Sequence, residues 1–232
     1  MDTRVHEGKI QVRLKPLSEY RPLFDEAGRF LIVQSEEITD RYLTSPIHIN
    51  VTHPQQPIQP QGGESVLEVM QNNIDAIMAQ REATGQPMIP HLNHPNFGWA
   101  VTAEEFMHLR GEQFFEVYNG HPSVRNEGDE THASTERFWD IVLTWRLGVL
   151  DLPVMYGIAT DDAHHYHEEA VGKSNAGRGW VMVRSKYLTP EHLIRSMEVG
   201  DFYASSGVNV NEIHHDAKGI QLMIDAEADV HY

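Results

Sequence analysis

Apolar and polar positions along this chain form short strand-like stretches alternating with longer stretches of helical spacing. Apolar runs of strand length occur at residues 9–14, 30–39, 46–53, 87–92, 154–159 and 180–183 and in the segment beginning at residue 113. Helical spacing occurs at residues 16–28, 64–84, 102–109, 133–150 and 189–199. Repeated strand–helix units of this kind predict a largely parallel sheet.

Helix boundaries are marked by residues suited to capping. Thr102 and Glu105 match the capping-box spacing, and Thr189 precedes Pro190 at the first helical position of the last helix. Gly85 supplies a stop after the clearest amphipathic segment. Residues 54–63 are rich in Pro, Gln and Gly, which predicts a surface loop.

The C-terminal stretch has a different pattern from the rest of the chain. Residues 200–232 predict a turn and two strands of alternating polarity, and the sequence stops in what would be a third strand. We therefore divide the chain into residues 1–206, one α/β unit, and residues 207–232, a short β-rich extension that we expect to be truncated.

Composition narrows the class of protein. The 232 residues are 40% hydrophobic, which is enough for the core of one domain. The formal net charge of -16 argues against nucleic acid or an anionic membrane as partner. No apolar run has membrane-spanning length and no signal peptide is recognisable, so a cytoplasmic location is the default expectation. The absence of cysteine excludes thiolate metal sites and disulfides, whereas 15 histidines favour metal binding.

The strongest local signal is the stretch YGIATDDAHHYH at residues 156–167, where aspartates and histidines follow a short apolar run. Imidazole nitrogen and carboxylate oxygen suit zinc, iron and manganese, and Asp162 and His164 can converge on one ion. Thr160 can cap the turn or hydrogen-bond to a carboxylate. The alternative for this segment alone is a solvated histidine-rich loop.

Similar polar clusters follow other predicted strands, and this serial placement favours the metal site. In α/β barrels, the active-site residues lie at the C-terminal ends of the strands. Five successive strands contribute such groups: Glu36 and Glu37; His48 and His53; His91 and His94; Glu116, Asn119 and His121; Asp162 and His164.

Four segments in this order resemble the PHP (polymerase and histidinol phosphatase) superfamily, and in particular its stand-alone metal-dependent phosphoesterases. They are HLNHPNFGWA, FFEVYNGHP, YGIATDDAHHYH and GRGWVMVRSKYLTPEHLI, beginning at residues 91, 114, 156 and 177. The resemblance implies a distorted TIM-like, seven-stranded α/β barrel. It also implies two or three divalent ions (Zn, Mn or Fe) and hydrolysis of a small-molecule phosphate ester.

Carried over position by position, the resemblance implies a set of metal ligands. They are Glu37 (with Glu36 as the alternative), His48, His94, Asp162 (with Asp161 as the alternative) and His164. His91 and Asn119 would face the substrate or shape the pocket, and for Asn119 and Glu116 a packed strand remains an equal alternative.

Two further roles follow from general chemistry. His121 or His165 could protonate the leaving alkoxide. Arg178 could reach a phosphate oxygen with assistance from Lys173, although a surface-turn arginine is the alternative.

The His-x-His pair that opens PHP sequences has no counterpart, since the early histidine His6 is isolated. The expected barrel is therefore incomplete at its N-terminus. Two other functions stay open: a non-catalytic PHP-like module with a weak metal site, and an amidohydrolase-type enzyme acting on C–N bonds.

Overall fold

The computed structural model describes residues 2–225, which form eleven strands and five α-helices. The strands are β1 (Asp2–His6), β2 (Lys9–Arg13), β3 (Ser35–Tyr42), β4 (Ser45–Thr52), β5 (Ile89–Leu92), β6 (Phe114–Asn119), β7 (Tyr156–Thr160), β8 (Trp180–Val183), β9 (Phe202–Ser205), β10 (Val210–Asp216) and β11 (Gly219–Ile224). The helices are α1 (Leu17–Phe24), α2 (Val66–Thr84), α3 (Ala103–Phe106), α4 (Thr135–Gly148) and α5 (Pro190–Glu198), with a 3₁₀ turn at Phe97–Trp99.

The centre of the molecule is an open five-stranded sheet in the order β3-β4-β5-β6-β7. β3, β4 and β5 pair antiparallel, whereas β5, β6 and β7 pair in parallel. The remaining strands form three separate antiparallel pairs, β1-β2, β8-β9 and β10-β11.

The predicted barrel is wrong, because among residues 2–225 this sheet does not close and much of the strand pairing is antiparallel. β3 and β4 are joined as a tight hairpin across Leu43 and Thr44, which a βα barrel does not contain. The order of strand-like and helix-like segments does not encode the direction in which neighbouring strands pair.

One face of the sheet carries the main core. Ile38, Ile49 and Leu92 follow one another across β3, β4 and β5 in register, and all three are buried. They pack with apolar residues of α2, α3 and α4, among them Ile74 and Phe106. Because side chains alternate across a strand, the residues between them project to the opposite face.

That opposite face is polar along β3, β4 and β5. Glu37, Asn50 and His91 stand in register across the three strands. A second, smaller apolar cluster covers another part of the sheet, where Phe114 and Ile158 pack against Ile194 of α5. The polar region outside that cluster is where the candidate site lies.

The helix termini follow the sequence signals. Thr102 and Glu105 form the complete capping box of α3, which confirms that prediction. Thr189 caps α5 with Pro190 inside the first turn, and Gly85 ends α2 in the left-handed conformation at φ 67°.

The largest local differences from the predicted elements lie near the N-terminus. The strand predicted at 30–39 begins at Ser35, and α1 ends at Phe24 rather than continuing to residue 28. β1 was not predicted. The two strands predicted in the C-terminal extension are present as β10 and β11, and the predicted third strand lies outside the described residues.

None of the helices within residues 2–225 combines the length and hydrophobicity needed to cross a bilayer.

A fully buried carboxyl group lies at the junction of β5 and β6. Glu112 Oε1 accepts a hydrogen bond of 2.5 Å from the Leu92 amide, and Oε2 has no partner among the described residues. Burial raises the pKa of Glu112 from 4.5 to about 8, although the Leu92 hydrogen bond and the Arg146 charge act in the opposite direction.

We expect this group to make the folded state less stable as the pH rises. Between pH 4.5 and 8 the folded state holds the proton that the unfolded state has lost, so the free energy of unfolding falls across this window. Glu112→Gln should therefore remove about 2–3 kcal/mol of the decrease between pH 5 and pH 7. Urea denaturation of the variant and the unmodified protein at pH 5 and pH 7 measures the free energies of unfolding. The control Glu104→Gln, at an exposed position on α3, should show the same fall in the free energy of unfolding as the unmodified protein. If Glu112→Gln also showed that full fall, Glu112 would ionise normally in the folded state.

Candidate metal site

Three potential metal ligands meet on the polar face of the sheet. Glu37 of β3, His48 of β4 and His94, two residues beyond β5, each place one donor atom within 4.8 Å of the other two. Glu37 Oε1 lies 3.2 Å from His48 Nδ1. The rings of His48 and His94 meet edge to face, with 5.1 Å between their centroids.

Strand pairing explains why residues distant in the sequence meet here. Thr39 stands opposite His48 and Glu37 stands opposite Asn50, so Glu37 and His48 are diagonal neighbours on one face of an antiparallel pair. His94 follows the end of the adjacent strand β5. It is held next to His48 because the amide of its neighbour Asn93 donates to the His48 carbonyl at 3.0 Å.

The Glu37 carboxylate is oriented by two neighbours. Asn93 Nδ2 donates to Glu37 Oε2 at 3.0 Å, and the Thr39 hydroxyl donates to Oε1 at 3.2 Å. A carboxylate only accepts hydrogen bonds, so this contact fixes the orientation of the Asn93 amide. Asn93 Oδ1 is consequently left buried without a partner among the described residues, although the residue is only 4% exposed.

A buried carboxylate connects the strand ends behind this cluster. Glu116 of β6 accepts from the His94 amide at 2.9 Å, from Asn119 Nδ2 at 2.8 Å and from the Thr160 hydroxyl at 2.9 Å. His91 Nε2 lies 3.6 Å from Glu116 Oε1. Burial raises the pKa of Glu116, but His91 and the hydrogen bonds outweigh this and lower it below its ordinary value. Glu116 is thus an anion that holds β5, β6 and β7 in place.

His48 is suited to bind a cation near neutral pH. Burial lowers the pKa of His48, and the nearby Glu37 carboxylate only partly offsets this. A neutral imidazole is the form that coordinates a metal.

Asp162 and His164 are not part of the three-residue cluster. Asp162 Oδ2 lies 3.3 Å from Asn119 Nδ2, and its backbone has φ 48°, a strained value for an aspartate. His164 Nδ1 is 3.5 Å from Asp162 Oδ1, and its side chain is 61% exposed. Asp162 lines the same cavity as Glu37, but the turn directs His164 toward solvent. Their role as ligands stays a prediction.

His121 lies beside His164. Its ring meets that of His164 edge to face at 5.0 Å, and the Ser123 amide donates to its Nδ1 at 3.1 Å. Nδ1 is therefore an acceptor, so the proton of the neutral ring is on Nε2. Burial lowers the pKa of His121, and the Asp162 carboxylate opposes this.

The loop after β7 has its own network. Asp161 accepts from the amides of Gly177, Arg178 and Gly179 at 2.7–2.9 Å, so its carboxylate holds the glycine-rich turn rather than facing the cluster. Gly179 is required there, since a Cβ would lie 2.5 Å from the Thr160 carbonyl.

The predicted phosphate-binding side chains contact this loop as well. The Arg178 guanidinium donates to the Ala170 carbonyl at 3.0 Å, and Lys173 pairs with Glu168 at 3.4 Å. His165 Nδ1 lies 3.4 Å from the Ser174 hydroxyl. None of these three is among the described residues that line the cavity beside Glu37, and their predicted roles stay predictions.

A cavity of about 380 Å³ adjoins the cluster. It is lined by side chains of β3, β4, β5, β6 and the turn after β7, including Glu37, Asn50, His91, Asn93, Glu116 and Asp162. Sequence reasoning did not single out Asn50 and Asn93. The signal was available, because each lies two residues beyond a histidine of the same face, His48 and His91.

The donor set fits a divalent ion. Two imidazoles and one carboxylate are typical of zinc, iron(II) and manganese centres that keep positions open for water or substrate. Glu37, His48 and His94 therefore form a cluster that can hold a metal ion. No protein-family model matches this chain, and no curated protein or solved structure shows significant similarity to it.

Proposed function

We propose that this protein is a metal-dependent hydrolase of phosphate esters. The observation that carries the proposal is the convergence of Glu37, His48 and His94 beside a polar cavity. The ordered motifs that resemble the PHP superfamily favour a phosphate ester as the substrate. The open sheet does not weaken this argument, since function depends on the site and not on the fold class.

A divalent ion bound by these three residues would supply a Lewis acid that offsets phosphate charge and makes water more acidic. In the hydrolysis, the water oxygen forms a bond to phosphorus while the ester P–O bond breaks. The departing alcohol oxygen takes up a proton, which the water has lost.

The chain's own residues have distinct parts in this scheme. Asn93 and Thr39 orient Glu37, and Glu116 fixes the backbone of His94 through its amide. We assign delivery of a proton to the leaving alcohol to His121, whose neutral ring carries its proton on Nε2 and lies beside His164.

The test is metal-dependent turnover by the purified chain. Protein stripped with EDTA and reconstituted with Mn²⁺, Zn²⁺ or Fe²⁺ is assayed with p-nitrophenyl phosphate, bis(p-nitrophenyl) phosphate and a p-nitroanilide amide. We expect release of p-nitrophenol from a phosphate ester only after reconstitution, and its loss on renewed chelation.

The other outcomes separate the alternatives. Tight metal binding without turnover of either phosphate would contradict the hydrolase and indicate a non-catalytic metal-binding module. Turnover of the amide in place of the phosphates would indicate an amidohydrolase-type reaction.

A further inference from the structure

The cavity next to the ligand cluster has an unusual lining for a phosphate-binding protein. Its floor is a ladder of polar pairs, with Ser35 opposite Thr52 and Glu37 opposite Asn50. Among the described residues that line it there is no Lys or Arg and no Phe, Tyr or Trp. The lining therefore offers neither a cation for a second phosphate nor a large ring for stacking a base.

The carboxylates of the lining are already engaged with the protein. Glu116 accepts from three donors, Glu36 Oε2 accepts from the Ile58 amide at 3.0 Å, and Asp162 Oδ2 accepts from Asn119 Nδ2 at 3.3 Å. Glu37 belongs to the ligand cluster. The cavity beyond that cluster is thus not a second site built from free carboxylates.

What remains for a ligand are uncharged hydrogen-bonding groups. Asn93 Oδ1 is buried and unpartnered, and its orientation is fixed by the bond from Nδ2 to Glu37. Within residues 2–225 neither the hydroxyl of Thr52 nor the side-chain carbonyl oxygen of Asn50 has a hydrogen-bond partner, and Asn50 Nδ2 lies 3.2 Å from His91 Nε2. A buried acceptor without a donor costs free energy, which a ligand hydroxyl would recover.

We infer that this cavity binds the hydroxylated, uncharged part of a polyol or sugar phosphate, with the phosphate group toward Glu37, His48 and His94. The inference rests on the proposed phosphoesterase function. Ligand hydroxyls can donate to Asn93 Oδ1 and exchange hydrogen bonds with Thr52 and Asn50, and the volume of about 380 Å³ is within the usual range for small-ligand sites.

The test compares substrates on the metal-reconstituted chain. Glycerol 3-phosphate, ribose 5-phosphate and glucose 6-phosphate are assayed beside p-nitrophenyl phosphate and adenosine 5′-monophosphate. We expect kcat/KM for at least one polyol or sugar phosphate to exceed the values for p-nitrophenyl phosphate and adenosine 5′-monophosphate by about tenfold or more. Thr52→Val, which removes a hydroxyl at nearly constant volume, should raise KM for that substrate about tenfold. Thr144→Val on α4, whose hydroxyl bonds to its own helix, is the matched control and should leave KM unchanged.

The two proposals fail in distinguishable ways. If p-nitrophenyl phosphate is hydrolysed but polyol and sugar phosphates are not preferred, the substrate class is wrong and the hydrolase stands. If no phosphate is hydrolysed, the hydrolase is wrong, and calorimetric titration with glucitol decides the cavity assignment alone. Saturable glucitol binding that Thr52→Val weakens would support it, and no binding would overturn it.

Discussion

Replacing His94 with alanine should lower the affinity of the protein for Mn²⁺ or Zn²⁺ by more than about 100-fold and abolish metal-dependent hydrolysis. Loss of a residue that only orients a ligand already costs about 10- to 100-fold in affinity, and His94 supplies one of just three donors. Isothermal titration of chelator-stripped protein measures the affinity. The isosteric variant Glu37→Gln should show the same loss, because a neutral amide is a poor replacement for an anionic ligand.

Two controls separate lost coordination from lost folding. His94 also packs against Phe97, with 5.1 Å between the ring centroids, so urea denaturation of each variant must accompany the titrations. His108→Ala removes an exposed histidine two residues beyond α3 and should leave metal affinity unchanged. Folded His94→Ala and Glu37→Gln variants with undiminished affinity would place the metal elsewhere in the chain.

Replacing Arg146 with methionine should destabilise the fold by about 3–5 kcal/mol, because buried acceptors left without donors cost about 1–3 kcal/mol each. This residue of α4 is 1% exposed, and its guanidinium donates to the carbonyls of Pro153, Met107 and Leu109 at 2.7–3.1 Å. Methionine retains much of the apolar volume but leaves three carbonyls without a donor. Urea or thermal denaturation measures the change.

The matched control lies in the same helix. Arg137 pairs with Asp140 at 3.7 Å, and both side chains are more than two-thirds exposed, at 67% and 69%. Arg137→Met should therefore change the free energy of unfolding by less than about 1 kcal/mol. Equal effects of the two substitutions would show that burial and the three carbonyl contacts of Arg146 are not what stabilises this region.

Local features of the structure could be predicted from the sequence. The capping box of Thr102 and Glu105 and the glycine that ends α2 depend on residues close in the chain, so their side chains and spacing are sufficient.

Strand direction and sheet closure could not be predicted, because both depend on contacts between distant segments. The hairpin of β3 and β4 and the antiparallel pairing of β5 give the same pattern of apolar runs as parallel strands would. The positive φ of Asp162 likewise cannot be predicted from the sequence, and His164, two residues further along, is exposed and lies outside the cluster.

The most direct test of the metal site is anomalous diffraction from crystals of the protein grown with Mn²⁺ or Zn²⁺, recorded on both sides of the metal absorption edge. A single strong peak about 2.0–2.3 Å from Glu37, His48 and His94 is the predicted result. A folded protein without a peak among these three side chains, or with its only strong peak at another group, would contradict the account.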